Sequence, residues 1–80
     1  MSRPNTKAAQ SIQRTLGERV RKLRTETGWP SPEAFAEACR ISPNRLRQVE
    51  CGEAKLTLST IAIIAKNLKT TVSGLFEGIM

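Results

Sequence analysis

Eighty residues carrying a net charge of +6, with a pI near 10.2, allow one small domain and suit a polyanionic partner, nucleic acid before any other. The chain has no histidine, aspartate or tyrosine, so a general base would have to be one of seven glutamates; with no phosphate-cradling glycine loop and no paired carboxylates, an enzyme is not expected. No apolar run is long enough to span a bilayer and no signal peptide is evident, so a cytoplasmic protein with no membrane partner is expected.

Along the chain, residues 1–10 contain Arg3, Pro4, Asn5 and Lys7 without a helical pattern and read as a flexible basic N-terminal arm. Residues 11–77 read as the domain, and 78–80 as a short C-terminal tail. In the first helix Ile12, Leu16, Val20 and Leu23 recur at steps of four, four and three, an apolar stripe that Gly28 stops. Ser31 followed by Pro32 is a helix start signal. Phe35, Ala36 and Cys39 then fall on one helical face. A short turn leads to Ser42, a good N-cap, and to Pro43, whose missing N–H costs nothing at the first helical position. This third helix turns Leu46 and Val49 inward with Ile41 and ends at Gly52. Thr57 caps a fourth helix whose Leu58, Ile61, Ile64, Ala65 and Leu68 are expected to face inward, and Thr71 caps a short fifth carrying Leu75 and Phe76. No segment alternates like a strand, so the chain is expected to be an all-helical single domain.

The helix over 43–51 presents Asn44, Arg45, Arg47, Gln48 and Cys51 on its outer side. Asn and Gln can bond adenine bidentately and Arg can do the same for guanine, so this face is chemically able to read bases; an ordinary solvated helix face is the alternative. Cys39 is expected buried as a small apolar residue and Cys51 partly exposed; without a CxxC spacing or a histidine, neither metal nor cofactor is expected.

The elements LGERVRKLR followed by Gly28 and Trp29, Ala36, ISPNRLRQVECG, and LSTIAIIAKNL followed by TVSGLF together resemble the Cro-like (XRE) helix-turn-helix family, over about Leu16 to Phe76. The resemblance implies a compact five-helix, lambda-repressor-like DNA-binding domain. It implies base reading by Asn44 and Gln48. Arg45 and Arg47 could each reach a guanine or a phosphate, and Lys55 is placed for the backbone, with Ser42 and Arg40 as further phosphate candidates. Arg24 and Glu50 are implied to face one another as a structural ion pair. Three departures stand out: Pro32 replaces a phosphate-binding glutamine at the start of the second helix, Arg40 replaces the glycine of the turn, and Leu56 replaces a proline after the third helix. Arg40 would then have to take a left-handed conformation or the turn be reshaped.

The implied function is sequence-specific regulation of transcription, a repressor before an activator, through double-stranded DNA in a nucleoid-associated setting. A homodimer on an inverted repeat is expected, with half-sites about one helical turn apart, ~34 Å. Ile63, Ile79 and Met80 are candidates for its interface. Activation would require a contact with RNA polymerase. The alternative is a protein-interaction module of the same fold, of antitoxin or coactivator type, with weak or nonspecific DNA binding.

Overall fold

The computed structural model describes residues 6–79, which form five helices and, among the described residues, no strand: α1 (Thr6–Glu26), α2 (Pro32–Ala38), α3 (Pro43–Glu50), α4 (Leu58–Asn67) and α5 (Val72–Leu75). Four of the five begin as their capping residues dictate. The hydroxyls of Ser31, Ser42, Thr57 and Thr71 accept from the backbone N–H groups of Ala34, Arg45, Thr60 and Gly74 at 2.9–3.2 Å, each satisfying one of the donors that a helix start leaves unpaired.

α1 starts earlier than its apolar stripe. Residues 6–10, expected in the arm, are helical, because Ala8, Ala9 and Gln10 are strong helix formers with no proline or glycine after Pro4 to stop them. Residues 1–5, the rest of the expected arm, lie outside the described residues.

The core is one cluster. Leu16 and Val20 of α1 meet Phe35, Ala36 and Cys39 from α2 and its cap, Leu46 and Val49 of α3, and Ile64, Ala65, Leu68 and Leu75 from the C-terminal half. Leu23, Ile41, Leu56, Ile61 and Phe76 pack around its rim, half-buried, and Ile12 is half-buried as well. Leu58 departs from expectation: it is 72% exposed. As the first residue of α4 it stands at the edge of the inward stripe, one turn before Ile61, where no other helix covers it.

Helix ends α2, α3 and α4 share one device. In each, the residue three past the helix end donates to the carbonyl of the third-last helical residue and its predecessor donates to the second-last: Ile41 to Ala36 and Arg40 to Glu37, Glu53 to Gln48 and Gly52 to Val49, Thr70 to Ala65 and Lys69 to Lys66, at 2.8–3.1 Å. This motif needs a left-handed residue. Gly52 takes it at φ 77°, but Arg40 and Lys69 take it at φ 60° with full side chains. The turn is therefore not reshaped around Arg40, which accepts the strained conformation, a cost of roughly 1–2 kcal/mol.

Candidate nucleic-acid interface

α3 is mounted on α1 at a distance that excludes side chains. A Cβ built on Gly17 would lie 2.3 Å from the Val49 carbonyl oxygen and 2.8 Å from that of Glu50, and one on Gly52 would lie 2.6 Å from the Arg14 Cα. Only glycine permits this approach at both points. About two turns further along α1, Arg24 reaches across. Its Nε donates to Glu50 Oε2 at 2.7 Å and its Nη2 to Glu50 Oε1 at 3.2 Å, a two-pronged pair whose side chains are only 9% and 12% exposed. Glu50 is thereby turned away from the outer face of α3.

α2 and α4 hold the other side. Trp29 packs edge-on against Phe35, ring centroids 5.3 Å apart, and its Nε1 donates to the Asn67 carbonyl at 3.2 Å. The Asn67 amide donates to the carbonyls of Ile63 at 3.0 Å and Ala38 at 3.5 Å. Burial pushes the Cys39 thiol up to about 11, while its hydrogen bond with Asn67 works in the opposite direction. Cys39 is therefore a protonated, buried packing residue, whereas Cys51 is exposed at the end of α3.

With Leu46 and Val49 buried, α3 turns Asn44, Arg45, Arg47 and Cys51 to solvent and leaves Gln48 half-buried. Asn44, Arg47, Gln48 and Cys51 share one face by their three- and four-residue spacing. Arg45 lies to the side. Its Nη2 donates to the Lys55 carbonyl at 3.0 Å, tying the helix to the loop that follows it. Arg47 Nη2 donates to Asn44 Oδ1 at 2.7 Å, joining two outward side chains one turn apart. Open grooves flank this face. One is lined by Arg21 and Arg24 of α1, Pro32 and Glu33 of α2, and Pro43, Asn44, Arg47 and Glu50 of α3; the other by Gln10, Gln13 and Arg14 of α1 with Glu53 and Lys55. Cys51 lines both.

Arg40 and Ser42, both exposed, stand just before α3, and exposed Lys55 stands just after it. The structure thus distributes these three around the two ends of the helix. Ile63 lies apart on α4, 39% exposed. Ile79, named with it, packs partly onto the core cluster, and Met80 lies outside the described residues.

Arg14 and Arg21, which line the grooves, escaped the reading of the sequence because nothing local says which side of α1 meets α3; Gly17, the one glycine inside α1, was the available signal. Arg19 escaped too. Its guanidinium donates to the carbonyls of Leu75 at 3.4 Å and Glu77 at 2.9 Å, closing the C-terminal end of α5. Among the described residues no three His, Cys, Asp or Glu side chains gather as a metal site would need, and no helix is long and apolar enough to cross a membrane.

Comparison with known proteins agrees with this architecture. The family profile described as helix-turn-helix matches residues 20–75. The clp gene regulator ClgR from Corynebacterium glutamicum superposes with a TM-score of 0.79 at 25% identity, over 85% of this chain and 71% of that one. The restriction-modification controller protein C.AhdI from Aeromonas hydrophila superposes with a TM-score of 0.78 at 28% identity, over 84% of this chain and 96% of that one. No curated protein sequence matches. A profile match over most of the chain, on five helices arranged as in these two regulators, places the chain in the Cro-like (XRE) helix-turn-helix family.

Proposed function

We propose that this protein is a DNA-binding transcription regulator that inserts α3 into the major groove, acting as a homodimer on an inverted repeat and repressing by occupying the DNA. The observation that carries the reading is the outer face of α3, where Asn44, Arg45, Arg47 and Gln48 stand on a helix held from behind by the Arg24–Glu50 pair. Asn44, Gln48 and Arg47 are assigned to base edges, Arg45, standing to the side of that face, to a guanine or a phosphate beside them, and Arg40, Ser42 and Lys55 to phosphates. The fold and the kind of protein it resembles support this, since ClgR and C.AhdI are described as a gene regulator and a controller protein. The net charge of +6 supplies attraction to the duplex.

One module covers only a short half-site, which is the reason to assign a dimer. Ile63 is assigned to its interface, and an Ile63→Glu variant is expected to sediment as a monomer. A second reading, a protein-binding module of the same fold, is favoured by a single feature: Pro32 opens α2 without the amide side chain that would bond a phosphate. Enrichment from a random duplex library, followed by binding at physiological salt, separates the two. An inverted repeat of two short half-sites supports the dimeric regulator. Folded protein that enriches nothing and binds all duplexes weakly overturns it in favour of the second reading.

A further inference from the structure

The hydrogen bond between Arg47 and Asn44 changes what this face can read. An asparagine recognises adenine by using both ends of its amide: Oδ1 accepts from the N6 amino group while Nδ2 donates to N7. Here Oδ1 already accepts from the Arg47 guanidinium at 2.7 Å, and both side chains are exposed on the same side of α3. Oδ1 keeps a second lone pair, but a cation bonded to the same oxygen stands beside it, so a second donor such as the adenine amino group would meet it donor against donor. What the two side chains present outward is the Asn44 Nδ2 group and the remaining N–H groups of Arg47, a set dominated by donors and carrying a positive charge. Guanine is the base whose major-groove edge offers two acceptors side by side, N7 and O6. Arg45 does not compete for the same position, because its guanidinium is turned back onto the Lys55 carbonyl.

We propose that Asn44 and Arg47 act as one guanine-reading unit, in which Arg47 withholds Asn44 from adenine. The proposal rests on the DNA-reading role of α3 and adds the base class that this pair selects. Separate roles for the two residues predict independent effects. A joint unit predicts that each substitution alters the preference at the same base pair.

The test takes the duplex enriched by the wild-type protein and measures affinity for guanine against adenine at every position, for wild type, Arg47→Ala, Asn44→Ala and the double variant, with helicity checked for each. At one position per half-site the wild type is expected to prefer guanine by at least about fivefold. Replacing that guanine with 7-deazaguanine, which lacks the N7 acceptor, should weaken binding. Arg47→Ala should move the preference at that position toward adenine, as the freed Asn44 regains its acceptor, and the double variant should show no preference there. Adenine preferred by the wild type at the Asn44-dependent position overturns the proposal and leaves the regulator reading intact. So does an Arg47→Ala variant that loses affinity uniformly across sequences, the mark of a phosphate contact. Failure of the folded wild type to enrich any sequence overturns both.

Discussion

At the scale of single residues, the strongest statements concern groups removed from water. Arg24 and Glu50 are nearly buried and satisfy each other through two hydrogen bonds, so removing one partner strands the other charge. Glu50→Ala is expected to destabilise the protein by about 3 kcal/mol, read as a fall in the denaturation midpoint. Glu50→Gln, which keeps an acceptor for one prong, should lose less stability. The two thiols differ as sharply. At pH 8 a disulfide reagent such as Ellman's should modify one thiol at once and the second only as fast as the protein unfolds, and Cys51→Ser should remove the fast phase alone. Cys39 also links stability to pH. Its folded pKa of about 11 stands above the ordinary 9.0, so the folded state keeps a proton that the unfolded chain gives up. Its contribution is fully present below pH 9 and declines as pH rises from there through 11.

At the scale of the helix, the two strained ends invite repair. Arg40 and Lys69 occupy left-handed positions at φ 60° that glycine takes without penalty, so Arg40→Gly and Lys69→Gly should each stabilise by about 1 kcal/mol. For a domain of this size that is a rise in Tm of roughly 4–8 °C. If Arg40 contacts a phosphate, Arg40→Gly should gain stability and lose DNA affinity, while Lys69→Gly gains stability alone. The starts of α2 to α5 were the most legible part of the sequence, because an N-cap is a local event: Ser31, Ser42, Thr57 and Thr71 act within three residues of themselves. The stripe of Leu16 and Val20 and the inward pairing of Leu46 and Val49 were legible for a similar reason, periodicity. Leu58 was misread because periodicity assigns a face without knowing whether another element reaches that far. Arg19 and Trp29 were illegible: their hydrogen-bond partners lie 56 and 38 residues away, and no local pattern marks such contacts. On α3, the set of outward residues could be read from spacing, but the Arg47–Asn44 bond that couples two of them could not.

For the whole molecule, charge and copy number govern behaviour together. Binding to duplex DNA is expected to weaken steeply with salt, each phosphate contact adding about 0.9 to the slope of log affinity against log salt. If Lys55 contacts a phosphate as proposed, Lys55→Ala offers a count of subunits. A dimer loses two contacts and its slope should fall by about 1.8, whereas a monomer loses one and falls by about 0.9. In either case the preferred sequence should stay the same, because Lys55 lies beyond the end of α3. The Arg19 clasp matters on this scale as well, since it binds the last helix to the first and so joins the C-terminal end to the helix that carries α3.

The contact that seats α3 is made by backbone, at Gly17 and Gly52, and by a glutamate facing inward. Among the described residues no outward side chain of α3 hydrogen-bonds to another helix; Arg45 reaches only the following loop and Arg47 only Asn44. Attachment and vocabulary are therefore written in different residues. If α3 reads DNA as proposed, a lineage built on this frame can acquire a new genomic address by changing a few exposed letters, with no repair to the interior, whereas a single methyl group at Gly17 would silence every address at once.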